Sequence, residues 1–197
     1  LRRLAVHIAE QLGADTQLAD RAALLAKADL NTLMVGEFPE LQGIMGAYYA
    51  QADGEHEHVV NALRHQYEHR IHAPVSADTL IATTLFLAER AETLIGIWGI
   101  GLAPTGERDP YALRRAALGL ISAFEQLNQG GYLTHSRLDL RELLTFSAAG
   151  FDTSVLAENT VEEVINFIYE RYRNQLVQSH DRKVVEAVLA LHPPYNK

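Results

Sequence analysis

An all-α fold, an array of about eight to ten helices, is what the sequence predicts. Apolar residues recur three and four apart nearly throughout, as at Val161, Val164, Ile165, Ile168, Tyr172 and Leu176, and no segment alternates them as a strand would. The 197 residues are 48% apolar and 21% charged, enough to bury one ordinary core and too apolar for disorder, with no apolar run long enough to cross a membrane. Cysteine is absent. That excludes a disulfide framework, a thiolate zinc site, an iron–sulfur cluster and a cysteine nucleophile, and it suits a cytoplasmic protein.

The elements follow in order. Periodicity places helices over 2–12, 16–33, 41–51, 55–69, 77–98, 110–127, 137–149 and 180–191, and one more from Thr160 through Leu176. Gly13 ends the first, and Gly130 with Gly131 ends the one begun by Asp109 as N-cap and Pro110 at the first helical position. Thr160 followed by Glu163 predicts a capping box, each side chain serving the other residue's backbone N–H. Pro193 and Pro194 close the domain. Two glycine- and proline-punctuated segments, 35–40 and 99–108, read as loops, where function most often sits. No internal repeat divides the chain, so 1–197 reads as one domain, with 1–130 as a core and 131–197 as a C-terminal helical extension. It begins at Leu1 rather than Met, with Arg2 and Arg3 but no leader peptide, and reads as a piece of something longer.

A formal charge of −8 disfavours nucleic-acid binding over the whole surface. The cations, however, are 14 Arg to 3 Lys, and Arg suits bidentate phosphate contacts, so a local patch survives the argument. His65-Gln66-Tyr67-Glu68-His69 matches the H-x-x-E-H of inverted zinc peptidases. A solvated polar face explains it more cheaply, since a catalytic zinc needs a third ligand and a shaped cleft. Gly99, Gly101 and Gly106 suggest a phosphate cradle, yet the spacing fits no G-x-G-x-x-G or P-loop. Arg114 and Arg115 are adjacent on a helix, about 100° apart, so at least one faces solvent or a partner. An internal ion pair with Glu107 or Asp109 is the competing use. Glu89 and Glu92 lie three apart beside Arg90, which reads as a surface ion-pair cluster rather than a cation site. His180-Asp181 is the signature dipeptide of HD phosphohydrolases, but here Ser179 and Asp181 are ordinary helix-start residues.

The run from Lys27-Ala28-Asp29-Leu30-Asn31-Thr32-Leu33-Met34-Val35-Gly36-Glu37-Phe38-Pro39-Glu40-Leu41-Gln42-Gly43-Ile44-Met45-Gly46 resembles the β subunit of bacterial glycyl-tRNA synthetase. The resemblance continues in collinear order through Tyr48-Tyr49-Ala50, Asp53-Gly54-Glu55, Thr93 to Gly101, Pro104-Thr105-Gly106 and Asp109-Pro110 to Gly119. It implies an HD-like orthogonal helical array whose phosphohydrolase metal site has decayed, with no catalytic or metal-binding residue in this piece. It also implies a heterotetramer in which a separate α subunit attaches glycine to tRNA with ATP and magnesium. The partners it implies are glycine tRNA, the α subunit and the remaining β-subunit domains. Carried over residue by residue, it makes Arg114 and Arg115 the leading RNA-contact candidates, followed by Arg108 and Lys27. The helix start near Asp109 and the N–H groups of the preceding loop add phosphate donors. One departure is Ala88-Glu89-Arg90-Ala91-Glu92-Thr93-Leu94, where the family usually has Ala-Asp-Lys-x-Asp-Thr-Leu.

The leading expectation is therefore a tRNA-binding and assembly domain, non-catalytic alone, of glycine–tRNA ligase. One alternative is an active HD-type phosphohydrolase using Asp29, Glu89 and histidines. The other is a structural docking domain with an apolar surface around Phe38, Tyr48 and Tyr49.

Overall fold

In the computed structural model, residues 1–106, 108–152, 154–191, 194 and 195 are described. The long helix α6 (Leu80–Gly99) is the axis on which the others rest. Its only charged residues are Glu89, Arg90 and Glu92, so it is apolar nearly all round and is buried on most sides, from Leu80 and Ile81 through Phe86 and Leu87 to Leu94 and Ile95. Six other helices lean on it. These are α1 (Arg2–Leu12), α2 (Thr16–Leu25), α5 (Glu57–His65), α7 (Leu113–Gln129), α8 (Leu140–Ala148) and α9 (Thr160–Leu176). Phe124, Leu120 and Leu127 of α7, Ile8 of α1 and Leu63 of α5 fill the shared core. Two short helices, α3 (Leu33–Glu37) and α4 (Ile44–Ala52), and a last one, α10 (Arg182–Leu191), complete an all-α array with no strand among the described residues.

Several boundaries differ from expectation, each for a physical reason. Gly13 does close α1, in the left-handed conformation at φ 69°. The expected helix 16–33 stops at Leu25, because Lys27 adopts φ 64°, and the chain continues as a 3₁₀ turn over Ala28–Asn31. The segment 35–40, read as a loop, is instead largely α3 and the 3₁₀ turn Pro39–Leu41, with Thr32 capping α3 through Val35 N–H. Helix 77–98 begins as a separate 3₁₀ turn, Ala77–Thr79. α5 ends at His65, four residues early. The capping box at Thr160 does not form: the Thr160 hydroxyl donates to the Ala157 carbonyl, and Glu163 reaches across to accept from Trp98 Nε1 at 2.7 Å. Asp181, as expected, caps α10 by accepting from the N–H groups of Lys183 and Val184. Pro193 lies outside the described residues. Beyond it the chain folds back onto the array: Pro194 O accepts from Tyr169 Oη, Tyr195 O accepts from Leu140 N–H at 2.6 Å, and the Tyr195 ring stacks on Phe124.

Candidate nucleic-acid interface

α7 begins at Leu113, three residues later than Pro110 would set it. Asp109 still caps it, from a full turn away: Oδ1 accepts from Leu113 N–H at 2.8 Å and Oδ2 from Arg114 N–H at 3.0 Å. The chain bridges that interval with Ala112 at φ 57°. A carboxylate thus already occupies the helix start, and the phosphate site expected there is filled from within the chain. The preceding loop is spent in the same way. Thr105 and Arg108 exchange both backbone hydrogen bonds around Gly106, and the N–H groups of Gly101, Leu102 and Ala112 donate to carbonyls close in sequence. With the helix start capped and these loop N–H groups taken, the charged groups that face an anion at this junction are side chains.

Those side chains are arginines. Arg108 and Arg115 are exposed, while Arg114, half-buried, donates from its guanidinium to the Gly106 carbonyl and so ties helix to loop. The ion pair expected from Asp109 is not made, since its carboxylate serves backbone N–H groups; Glu107 lies outside the described residues. Arg115 points toward the segment that follows α5, with its Nη1 3.5 Å from His69 Nε2. Sequence reasoning set His69 aside, yet the structure brings it to the leading candidate.

That placement comes from Arg90. It is buried rather than on the surface, with its guanidinium 3.4 Å above the Phe86 ring centroid. Its nitrogens donate to the carbonyls of Gln66 at 3.0 Å and Phe86 at 3.3 Å, and to Glu68 O. Burial pushes its pKa down to about 10, countered by Glu89 and then Glu68, so the guanidinium stays charged at neutral pH. Held this way, residues 66–69 leave the helical path. His65 and His69 therefore share no helical face: His65 Nδ1 pairs with Glu68 at 2.5 Å instead. Gly119 leaves room for the arrangement, for a Cβ there would stand 3.1 Å from the His69 carbonyl and 3.3 Å from Arg90 Nε. Lys27 sits at the other end of the same chain of contacts, with its Nζ 3.2 Å from Glu89 Oε1, so its charge is already matched. Glu89 also accepts from Arg90 and Thr93.

A second constellation surrounds Asp29, which is only 3% exposed. Its Oδ2 accepts from Gly43 N–H at 2.6 Å and Gly46 N–H at 3.2 Å, while its Oδ1 is buried with no hydrogen-bond partner. The Tyr67 hydroxyl is likewise buried and unpartnered, and burial, then Asp29, then Glu89 push its pKa up to about 12. Asp29 is thus a backbone clamp. Among the described residues no three His, Asp or Glu side chains converge to hold a metal ion, and no helix is long and apolar enough to cross a membrane.

Residues 1–190 match the family described as glycyl-tRNA synthetase beta subunit. The chain is 46% identical over 193 residues to a glycine–tRNA ligase beta subunit of Neisseria gonorrhoeae. It is 44% identical over 194 residues to one of Ralstonia nicotianae and 47% over 199 to one of Aromatoleum aromaticum. Each match covers 98% of this chain but only 27% of the relative.

Proposed function

The chain belongs to the glycyl-tRNA synthetase β-subunit family, and from that premise we propose that it is an RNA-contacting and assembly domain of that subunit, non-catalytic by itself. On this reading it works in the cytoplasm within a heterotetramer, and it helps hold glycine tRNA while a separate α subunit attaches glycine using ATP and magnesium. The observation that carries the RNA reading is the junction of the 100–112 loop with α7. There Arg108 and Arg115 stand exposed, Arg114 is fixed to the loop, and His69 faces Arg115. Segments 68–72 and 107–115, which meet through Arg115 and His69, carry four Arg against three acids on a chain whose net charge is −8. Arg guanidinium groups there can each take a phosphate bidentately or stack on an unpaired base at an RNA end. Lys27, matched by Glu89, is the weaker member of the set.

The test is a fluorescence-anisotropy titration of an acceptor-stem minihelix of glycine tRNA at two salt concentrations. Replacing Arg114 and Arg115 by Ala together should weaken binding roughly tenfold or more at low salt and lower the salt slope by about one for each phosphate no longer neutralised. Unchanged affinity in the double variant would remove the assignment.

A further inference from the structure

Residues 66–76 join α5 to the turn before α6 without helix or strand, yet they are pinned along their length. Arg90 donates to the carbonyls of Gln66 and Glu68, Ile71 N–H donates to Ser122 Oγ at 3.1 Å, and Val75 N–H donates to Gln126 O at 3.1 Å. With the segment fixed in this way, a groove of about 360 Å³ stays open between it, α5 and the start of α6. Volumes on the order of 300–1,000 Å³ are those of small-molecule sites, and a wall that is already ordered need not be ordered on binding.

The lining decides what fits. Ile71, Ala82 and Phe86 supply an apolar surface, and the imidazoles of His65 and His72 and the amide of Asn61 stand around it. The two acids beside the groove each face an imidazole: Glu68 pairs with His65 Nδ1 at 2.5 Å, and Asp78 lies 4.0 Å from His58 Nε2. A carboxylate partner favours the Nδ1–H tautomer of His65, which makes Nε2 of the neutral ring an acceptor. Asn61 donates through Nδ2 to the Asp78 carbonyl at 3.4 Å, leaving its Oδ1 to accept as well. Glu68 also belongs to the groove, and the residue after it, His69, has Arg115 3.5 Å from its Nε2. Phe86 makes a second link: its Cζ would lie 3.3 Å from a Cβ on Gly119, one helical turn beyond Arg115. The groove and the Arg-rich junction thus share a wall, with a flat apolar slot on one side and a guanidinium on the other.

We propose that this groove receives an unpaired nucleobase of an RNA strand whose phosphate lies on Arg115. The imidazole and apolar walls hold a flat heterocycle by stacking and contact. The acceptors His65 Nε2 and Asn61 Oδ1 favour a base with an exocyclic amine, adenine or cytosine, over uracil. The inference rests on the RNA reading above and names what the RNA must offer, a nucleotide outside the duplex next to the phosphate that Arg115 takes.

The experiment uses the full-length β subunit and two acceptor-stem minihelices of glycine tRNA, one with unpaired 3′ adenine and cytosine nucleotides and one with the same nucleotides abasic. The phosphates are equal in number, so the bases are the only difference. The base-bearing RNA should bind about tenfold more tightly in an anisotropy titration, and uracil in place of the unpaired bases should reduce that advantage. Ala82→Leu fills the groove from α6 with a residue that helices favour. It should erase the advantage while leaving the abasic affinity and the melting temperature unchanged. His72→Ala, at an exposed position, should reduce it and decides alone if Ala82→Leu lowers the melting temperature. Equal binding of the two RNAs by wild-type β overturns the proposal, and so does an advantage that survives both substitutions. Adenosine monophosphate tests the other source of the same chemistry: binding as tight as that of the RNA would make the groove a site for free nucleotides and overturn the RNA assignment. Failure of the RNA reading appears separately, as abasic RNA bound equally by wild-type β and the Arg114/Arg115 variant.

Discussion

Two buried oxygens stand out among individual residues, Asp29 Oδ1 and the Tyr67 hydroxyl, since a buried polar atom without a partner costs free energy. Tyr67 stays protonated in the fold well past the ordinary value of 10.0, up to about 12. A group held protonated in this way contributes stability that is fully present below pH 10 and lost as pH rises through 12. Tyr169 and Tyr172 are shifted upward too, chiefly by burial. Tyr67→Phe should therefore make the alkaline loss of stability shallower. At neutral pH it should stabilise the chain by up to about 1 kcal/mol, as the unpartnered hydroxyl is gone. Urea melts of both proteins from pH 7 to 12 check it; an equally steep alkaline loss in the variant would contradict it. Arg90 shows why single residues are hard to place from sequence. Its neighbours Glu89 and Glu92 give it the look of a surface cation, and only the carbonyls of Gln66 and Glu68, more than twenty residues away, account for its burial.

At the scale of elements, the helices themselves were legible and their ends less so. Spacing of apolar residues found α1, α7, α8, α9 and α10 because one face of each meets the core, and α6 because it is apolar nearly all round. The ends moved where a side chain chose a partner that local spacing does not show: Glu163 took Trp98 rather than its own helix start, and Asp109 capped α7 from a turn away. Gly130 illustrates a stop with a packing role beyond conformation. A Cβ there would stand 2.3 Å from the Val75 carbonyl oxygen, and Val75 N–H donates to Gln126 O at 3.1 Å, so the segment entering the turn before α6 lies against the end of α7. Gly130→Ala should destabilise by about 2 kcal/mol or more, because backbone rather than a flexible side chain must move. Gly36→Ala in α3, where nothing lies within 4 Å, is the control and should be neutral to slightly stabilising, since Ala favours helix over Gly. Equal melting temperatures for the two variants would contradict the packing account.

Across the whole molecule, the polarity of the surface is what composition conceals. A net charge of −8 averages a stretch without a single Lys or Arg, residues 28–57, and a junction rich in Arg from 107 to 115. Adjacent Arg114 and Arg115 were visible as candidates because no helix can bury both. His69 was not, because its position depends on a tether from α6 that crosses the chain. The dependence on α6 has a mechanical consequence. A structure in which six helices lean on one spindle cannot lose that spindle piecemeal, so it should come apart in a single step, while anything standing clear of it loosens on its own. Limited proteolysis would sense this directly. The first cuts should fall within residues 30–43, leaving the spindle whole, and an initial cut inside 80–99 would contradict it. A segment that softens while its mount stays rigid can shape itself to what it meets without disturbing the basic junction.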